Sequence, residues 1–353
     1  MKKVLVVDPL SYNGHLNYNF GIIRNLQLYN EVNVIANVYH TEYLIGKGVI
    51  KDCIVYAYPN SWNITELSKR MNRLFYHIAF RFYFMFVLAK VKRIENKYDC
   101  IFLTSIDIFS FFLYSWFFKK KVFVVDHGIG NIKNSFLYRW SWKLTNKRVN
   151  IIVLEDFIKE MVDSVLKNNT YVVHHPLPPI VNKEKSVLDK TKKEGSPIQI
   201  FAPSASNDPL FLHTLCRAKI PSNLKIVAKC TTFDYYTSNL SIYNNYITQE
   251  EYYKMMNNAD FIMLPYPSSY NHRTSAILFE ALSMNKMVMI LDNNTLSNYS
   301  SVFKGNVFVF NSAEDLFGKI KELSLGSFRA CLDDYSDESI SRRLKGIVDN
   351  ICC

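Results

Sequence analysis

A polar loop and the start of a predicted helix follow a buried strand at residues 260–265. Thr274 and Ser275 are residue types that cap helices, and a helix N-terminus attracts anions through its free N–H groups and its dipole. Arg273 directly precedes them and could hold a phosphate through two parallel hydrogen bonds. Glu280 interrupts the apolar run LFEAL and could accept hydrogen bonds from ribose hydroxyls. The spacing predicts an anion and ribose site; the alternative is an ordinary strand–helix unit with solvated side chains.

Two histidines in the first half of the chain follow predicted strands. His127 comes after the strand at 121–126 and beside glycines, so we expect an exposed ring that Asp126 could orient. His15 lies in the loop after the first strand with Gly14, whose missing side chain lets a ligand approach the backbone. The alternatives are a structural capping histidine and a surface-loop histidine. The other histidines, at 40, 77, 174, 175 and 213, are interpreted as structural or solvated.

Other phosphate-binding groups are sparse in the second half. The loop APSASNDP contains no basic residue, although Ser204 could donate a hydrogen bond. Lys229 ends the strand NLKIVAKC and could supply the missing charge, or it could be an ordinary solvated lysine. The Asp-Asp pair at 333–334 lies in a late acidic stretch and does not indicate a metal site. We therefore expect neither a bound metal nor a cofactor.

Short apolar runs alternate with helical patterns along the chain, which predicts mostly parallel, doubly wound sheets. The polar segment KEKSVLDKTKKEGSP interrupts the alternation and is the best candidate linker. We expect an α/β protein of two Rossmann-like domains that face each other across a cleft, with ligands beyond the carboxyl ends of the strands. The expected boundaries are 1–182, a linker at 183–197, 198–335, and a C-terminal helix at 336–353 that could return to the first domain.

The positive charge is concentrated in the first half. Residues 1–185 contain 25 Lys or Arg against 14 Asp or Glu, whereas residues 186–353 contain 17 of each. The aromatic helical pattern at 64–97 carries eight basic and two acidic residues. It could be a core helix whose basic side chains reach solvent, or it could attach to an anionic membrane surface. Nucleic acid is not expected, because no nucleic-acid-binding module accompanies the charge.

Cysteine usage and hydropathy bear on location. The seven cysteines form no C-x-x-C pair, which argues against a disulfide framework or zinc site and favours a reducing cytoplasm. The apolar stretch 100–118 contains Asp107, and a carboxylate at the bilayer centre costs about 3 kcal/mol. That stretch also divides into a strand and a helix, so we expect no transmembrane span there. The expected location is cytoplasmic and peripheral, on the inner face of the plasma membrane.

The segment DFIMLPYPSSYNHRTSAILFEALSMNKMVMI resembles the nucleotide-sugar loop of GT-B glycosyltransferases, especially those of glycosyltransferase family 4. That family has a strand ending in proline and then a Glu-x7-Glu loop and helix. Glu280 matches the second glutamate, which in the family binds the nucleotide ribose. His272 replaces the first glutamate, which lies near the donor sugar or its leaving phosphate, and Asn285 replaces a glycine.

Three other segments resemble the family in the same order along the chain: NIIVLEDFIKEMV, TYVVHHPLPP and ITQEEYYKMMNNADFIMLPY. The similarity covers most of residues 1–310. His127 matches the histidine that contacts the transferred sugar, and the loop with Gly14 and His15 is the one that faces the donor phosphate and the acceptor. The donor-binding candidates are Ser204, Lys229, His272, Arg273, Thr274, Ser275 and Glu280.

The resemblance implies a hexosyltransferase that moves a sugar from a UDP- or GDP-sugar to a saccharide or lipid-linked saccharide, with retention at the anomeric carbon. Arg273 would stabilise the departing diphosphate. Such enzymes assemble surface polysaccharides such as capsule or lipopolysaccharide. Two alternatives stay open: an inverting GT-B enzyme with His15 as general base, and a non-catalytic, membrane-associated GT-B scaffold.

Overall fold

The computed structural model describes residues 1–9, 15–50, 54–55, 73–178, 196–292, 295–323 and 332–351. The chain divides into two compact units: unit 1 is Met1–Leu177 with Asp333–Cys353, and unit 2 is Pro178–Leu332. Gly14, residues 64–72 of the basic helical pattern and residues 183–195 of the expected linker lie outside the described residues.

Strands and helices are labelled in chain order over the described residues. The strands are β1 (Lys2–Val7), β2 (Asn30–Ala36), β3 (Ile54–Val55), β4 (Cys100–Leu103), β5 (Lys121–Val125), β6 (Asn150–Val153), β7 (Thr170–Val172), β8 (Ile198–Ala202), β9 (Leu224–Lys229), β10 (Tyr235–Tyr236), β11 (Leu240–Tyr243), β12 (Phe261–Leu264), β13 (Met287–Leu291) and β14 (Val307–Phe310). The helices are α1 (Leu16–Gln27), α2 (Val38–Gly46), α3 (Arg73–Ile94), α4 (Ile108–Tyr114), α5 (Asn131–Asn134), α6 (Phe136–Leu144), α7 (Asp156–Asp163), α8 (Pro209–Arg217), α9 (Gln249–Asn258), α10 (Ala276–Ser283), α11 (Tyr299–Val302), α12 (Ala313–Glu322) and α13 (Asp337–Ile351).

Unit 1 is built on one parallel sheet, whose described strands lie in the order β3-β2-β1-β4-β5-β6-β7. Apolar runs such as VLVV in β1 and NIIV in β6 are buried, as is usual for a parallel sheet covered by helices on both faces. Helices α3, α4, α6 and α7 pack on one face, and α1, α2 and α13 pack on the other. These two layers enclose separate apolar cores.

The last helix, α13, belongs to unit 1. Its apolar side is buried in the same core as α1, and it includes Ile340, Leu344 and Val348. Polar contacts add to this packing, because Asn25 Nδ2 donates a hydrogen bond to Asp337 Oδ1 at 3.0 Å. The chain therefore ends against the unit in which it begins.

Unit 2 contains a second sheet, whose described strands lie in the order β10-β11-β9-β8-β12-β13-β14. All neighbouring pairs are parallel except the hairpin of β10 and β11 at one edge. Its core is formed mainly by aliphatic side chains and methionines of β8, β9, β12 and β13, together with α8 and α12.

One strand end departs from the sequence-based expectation, and the stretch 100–118 follows it. The strand predicted at 31–38 ends at Ala36, because the side chain of Asn37 accepts a hydrogen bond from the His40 N–H and thereby starts α2. The apolar stretch 100–118 forms β4 and α4, and the Asp107 side chain caps α4 by accepting from the Ser110 N–H at 3.2 Å. Within the described ranges, no helix is both long enough and apolar enough to cross a bilayer.

Candidate functional site

The carboxyl ends of β1 and β4 lie side by side in unit 1, at the point where the strand order reverses. The chain leaves β1 for a helix on one face of the sheet and leaves β4 for a helix on the other face. In open α/β sheets such a divergence creates a crevice above the strand ends, where ligands bind. Asp8 follows β1 at this edge, and Thr104 and Ser105 follow β4.

The Asp8 carboxylate is the buried centre of this edge. It accepts hydrogen bonds from Asn19 Nδ2 at 2.6 Å and from the Ser105 hydroxyl. Nδ1 of His15 and Nε2 of His40 each lie 3.7 Å from its Oδ2. Burial alone would raise the pKa of Asp8, but its hydrogen bonds and the nearby histidines hold that pKa well below its ordinary value. Asp8 is therefore ionised and can stabilise a proton on His15.

The imidazole of His127 stacks on that of His15, with ring centroids 4.3 Å apart. Its Nε2 lies 3.2 Å from the Thr104 carbonyl oxygen, which can only accept, so Nε2 carries the proton and Nδ1 is an acceptor. Burial, followed by the proximity of His15 and His175, lowers the pKa of His127 well below its ordinary value. A neutral ring with one acceptor nitrogen can take a hydrogen bond from a sugar hydroxyl.

Asp126 fixes the loop that carries His127. Its carboxylate accepts hydrogen bonds from the Gly128 N–H at 2.9 Å, from Trp142 Nε1 at 3.0 Å and from the Tyr138 hydroxyl. These partners anchor the turn after β5, whereas the His127 ring is oriented by the Thr104 carbonyl.

Tyr18 lies between two histidines of this edge. Its ring centroid is 5.1 Å from that of His127 and 5.4 Å from that of His175. Its buried hydroxyl has no hydrogen-bond partner among the residues that the structure describes, and burial raises its pKa. Helix α1 can pack closely against Pro176 because Gly21 has no side chain. A Cβ on Gly21 would lie 2.3 Å from Cβ of Pro176.

Several residues at this edge of the sheet were not predicted from the sequence as site residues. His40 and His175, interpreted from the sequence as structural or solvated, are both buried here. The signal that could have found Asp8 and His175 is their position just after β1 and β7, where ligand-binding side chains of parallel sheets concentrate. His15 lies at the edge as predicted by its position in the chain, whereas Gly14 lies outside the described residues.

The strand order of unit 2 reverses between β8 and β12. Ser204 follows β8 and Tyr266 follows β12, so both residues lie at this switch point. The Tyr266 hydroxyl lies 3.0 Å from Oγ of Ser275, the N-cap residue of α10. Because the Ser275 side chain makes no capping hydrogen bond, the first N–H groups of α10 and the helix dipole remain suited to an anion.

The loop before α10 places Arg273 beside this helix start. His272 has a φ of 53°, in the left-handed region, and its N–H donates to Thr295 Oγ1 at 2.6 Å. The Arg273 guanidinium carbon lies 5.7 Å from the centroid of the Tyr270 ring. The Tyr270 hydroxyl donates to the Thr274 carbonyl at 2.9 Å, which closes the loop on itself. Arg273 therefore lies two residues before Ser275, the N-cap residue of α10, with its guanidinium near the Tyr270 ring.

Glu280 is oriented by Tyr252, a residue that sequence analysis did not single out. The Tyr252 hydroxyl donates a hydrogen bond of 2.5 Å to Glu280 Oε2. Burial, and then the Glu280 charge, raises the pKa of Tyr252 well above its ordinary value, so the hydroxyl stays protonated and donates. Tyr252 lies on α9, whose start is secured by a capping box between Thr248 and Glu251.

Lys229 and Asn285 have local structural partners. The buried ammonium of Lys229 donates to the carbonyls of Asn244 and Asn245, the latter at 2.8 Å, and burial lowers its pKa. It also lies 5.0 Å from the centroid of the Tyr246 ring. Asn285 has a φ of 54°, so it occupies the left-handed position after α10 at which the resemblance places a glycine. Within the described ranges, no group of three or more His, Cys, Asp or Glu residues is arranged to hold a metal ion.

Comparison with solved structures finds similar folds along the whole chain. UGT89C1 from Arabidopsis thaliana, complexed with UDP-L-rhamnose, has a TM-score of 0.61 at 14% identity, over 100% of this chain and 99% of that one. HepE from Anabaena, in complex with UDP and glucose, has a TM-score of 0.59 at 12% identity, over 100% and 97%. The UDP-GlcNAc 2-epimerase from Neisseria meningitidis, bound to UDP-GlcNAc, has a TM-score of 0.57 at 16% identity, over 99% of each chain.

The chain has a GT-B-type fold. The expected α/β class with two parallel-sheet units is thereby confirmed. No protein-family model and no curated protein sequence matches the chain. At 12–16% identity the likeness establishes the GT-B-type fold alone, and the closer resemblance to glycosyltransferase family 4 stays a proposal.

Proposed function

We propose that this GT-B-type chain is a glycosyltransferase that moves a sugar from a nucleoside diphosphate sugar to an acceptor hydroxyl. The observation that carries the proposal is the group at the β8/β12 switch point of unit 2. There Arg273 lies beside the start of α10, and Glu280 lies on the same helix with its carboxylate held by Tyr252. Solved structures with this fold include complexes with UDP and with UDP-sugars, which supports a nucleotide-sugar as the ligand class.

Each donor-side residue has a distinct role in this proposal. Arg273 and the N–H groups of α10, preceded by Thr274 and Ser275, stabilise the negative charge that develops on the departing diphosphate. Glu280 accepts hydrogen bonds from the ribose hydroxyls. Ser204 follows β8 at the same switch point, and its hydroxyl adds a neutral donor. His272 takes the family position near the donor sugar.

Lys229 is not a direct phosphate ligand in this proposal. Two of its three donors are committed to the carbonyls of Asn244 and Asn245, so its positive charge acts mainly through the segment that it anchors. Its lowered pKa is consistent with that buried position. Arg273 is therefore the principal cation for the diphosphate in this proposal.

The stereochemical outcome has two candidates. The family 4 resemblance implies retention, with His127 contacting the transferred sugar through its acceptor Nδ1. A specific observation favours inversion as the second candidate: His15 lies 3.7 Å from the ionised Asp8. In that mechanism His15 takes the proton of the acceptor hydroxyl, the hydroxyl oxygen bonds to the anomeric carbon, and the nucleoside diphosphate leaves with the bonding electron pair. The anomeric configuration of the product, read by NMR coupling constants, decides between them.

The acceptor class follows from the positive charge of the first half. A saccharide or lipid-linked saccharide is proposed, as in surface polysaccharide assembly, at a cytoplasmic membrane face reached partly through the helical pattern 64–97. The described part of that pattern is α3, where Phe82 and Phe86 are exposed and Phe84 is buried in the core. This helix therefore combines the two alternatives raised by its sequence, a core side and an exposed aromatic side.

A thermal-shift screen over UDP-, GDP- and other nucleotide-sugars tests the proposal and identifies the nucleotide. A ligand at one hundred times its Kd stabilises the folded protein by about 2.7 kcal/mol, which corresponds to a clear rise in Tm. We expect such a rise with at least one nucleotide-sugar, UDP-sugars being the first to test. If no nucleotide-sugar and no nucleoside diphosphate raises Tm, the non-catalytic scaffold becomes the better account.

A further inference from the structure

Two neighbouring helices of unit 1, α4 and α6, turn large apolar side chains outward. Phe112 of α4 contacts Trp140 of α6, with ring centroids 6.2 Å apart. The Trp116 indole donates to the Leu144 carbonyl at 2.9 Å, which ties the ends of the two helices together. We call the exposed set the α4–α6 surface; its members are Leu113, Trp116, Phe117, Phe136, Leu137, Trp140 and Leu144.

Helix α6 carries large apolar side chains on its outward side. Leu137, Trp140 and Leu144 follow one another at intervals of three and four residues, so they share one side of the helix. Polar residues normally occupy the outward side. Phe136 and Leu137 are 74% and 62% exposed, although both are large and apolar. Contiguous apolar surface of this kind marks an interaction site rather than chance exposure.

Basic side chains are concentrated in the segments that carry this surface. Residues 108–148 contain eight Lys or Arg and a single acid, Asp126, which is buried beneath α6 in contact with Trp142. Six of the basic residues are exposed: Lys119, Lys121, Lys133, Lys143, Lys147 and Arg148. The exposed apolar residues and these six basic residues, here called the basic rim, therefore lie on the same segments of unit 1.

These features fit one occupant, the surface of an anionic lipid bilayer. Trp side chains are favoured at the headgroup level, and each Lys or Arg near an anionic bilayer adds attraction. A second copy of the chain fits poorly, because its own basic rim would be brought against this one. Phe82 and Phe86 are also exposed on α3, which covers the same face of the sheet.

We propose that the α4–α6 surface docks unit 1 on an anionic bilayer, with Trp116 and Trp140 in the headgroup layer. This inference deepens the proposed membrane attachment by assigning it to helices outside the pattern at 64–97. It is independent of sugar transfer, because the surface residues lie on α4, on the turn that follows it and on α6, whereas the histidine edge lies at the ends of β1 and β4.

Vesicle co-sedimentation tests the proposal with two vesicle types, phosphatidylcholine alone and phosphatidylcholine containing phosphatidylglycerol. The first variant, Phe136→Ser with Leu137→Ser, removes two apolar contacts, and the second, Lys143→Glu with Lys147→Glu, reverses two charges. The matched control is Leu210→Ser with Tyr236→Ser, which removes two side chains of unit 2 that are 76% and 66% exposed. Circular dichroism and Tm verify that each variant folds, and light scattering reports the oligomeric state.

We expect the unaltered protein to bind the anionic vesicles at least about tenfold more tightly than the neutral ones. Each surface variant should lose at least about tenfold of that affinity, while the control retains it. Three results would overturn the proposal: no binding to anionic vesicles, equal binding by the surface variants, or a dimer that the Phe136/Leu137 variant abolishes without any lipid binding. Nucleotide binding by the same variants should be unchanged, so failure here is distinguishable from failure of the proposed transferase function.

Discussion

His15 and Asp8 form an acid–histidine pair at the carboxyl end of β1, with 3.7 Å between His15 Nδ1 and Asp8 Oδ2. The pair is supported by Asn19 and Ser105, which hydrogen-bond the same carboxylate and keep it ionised. Asp8 and His15 are seven positions apart in the sequence, and the fold places the carboxylate beside the imidazole. A histidine beside a buried carboxylate is the arrangement expected of a general base.

In the inverting mechanism, replacement of Asp8 by Asn should lower the turnover of sugar transfer by roughly 100-fold or more, because the general base His15 loses the carboxylate beside its Nδ1. Initial rates with the donor identified by thermal shift provide the measurement. Asp163→Asn is the matched control, since Asp163 is a half-exposed acid of the same unit. Unchanged kcat/KM in a folded Asp8→Asn protein would exclude this pair from the mechanism.

Tyr18→Phe separates a functional hydroxyl from a structural one. No described residue bonds the buried Tyr18 hydroxyl, so its removal should leave the free energy of unfolding unchanged or slightly higher. If the hydroxyl binds the sugar near His127 and His175, the rate of sugar transfer should fall about tenfold or more. Urea unfolding and initial rates are compared on the same preparation. Equal loss of stability and activity would point to a purely structural role.

The pH dependence of stability follows from His175. Burial lowers its pKa from 6.5 to about 4, so between these values the unfolded chain binds more protons than the folded one. Stability therefore rises with pH across this window and falls on acidification. From pH 7.5 to pH 5 this group alone should cost about 2 kcal/mol of unfolding free energy. Urea unfolding at both pH values measures this difference in the free energy of unfolding. His175→Asn should show a smaller pH dependence of stability than the unaltered protein.

Tyr252→Phe should weaken donor binding through Glu280. Without the 2.5 Å hydrogen bond the carboxylate loses its fixed orientation, so KM for the donor should rise about three- to tenfold with a smaller change in kcat. Glu280→Gln should have the larger effect, because it removes the charged acceptor itself. The half-exposed Tyr29→Phe serves as the control. An unaltered donor KM in both Tyr252→Phe and Glu280→Gln would exclude the ribose role.

Sequence patterns predicted the alternation of short strands and helices, because short apolar runs bounded by polar loops are distinctive in a parallel sheet. They also placed His15, His127 and Arg273 next to strand or helix ends, where each one lies. They gave no helix at 38–46 or 131–144, where α2, α5 and α6 lie. Asn285 departs from the family glycine in sequence yet adopts the same left-handed backbone, with a φ of 54°. Asparagine tolerates this conformation better than most residues, so the substitution preserves the helix end.

The assembled site was harder to predict, because its members come from separate elements. Asp8 and His40 meet only through the register of β1 with its neighbours and the packing of α2, and His175 reaches Tyr18 from beyond β7, which a single sequence does not reveal. Tyr252 reaches Glu280 from α9, 28 positions away. The α4–α6 surface could not be predicted from the sequence for another reason. The run FFLYSWFF has the composition of a core segment, and only its packing in the fold distinguishes its buried side chains from its exposed ones.

Calorimetric titration of UDP and GDP into the unaltered protein and into Arg273→Ala tests the central claim most directly. The claim is that the start of α10 binds the diphosphate of a nucleotide-sugar with help from Arg273. It predicts one site per chain for at least one of the two nucleotides and a Kd at least about tenfold weaker in Arg273→Ala. Arg217→Ala, which removes an exposed arginine of the same unit, should leave the Kd unchanged. Absence of binding by either nucleotide, or an identical Kd in Arg273→Ala, would contradict the account.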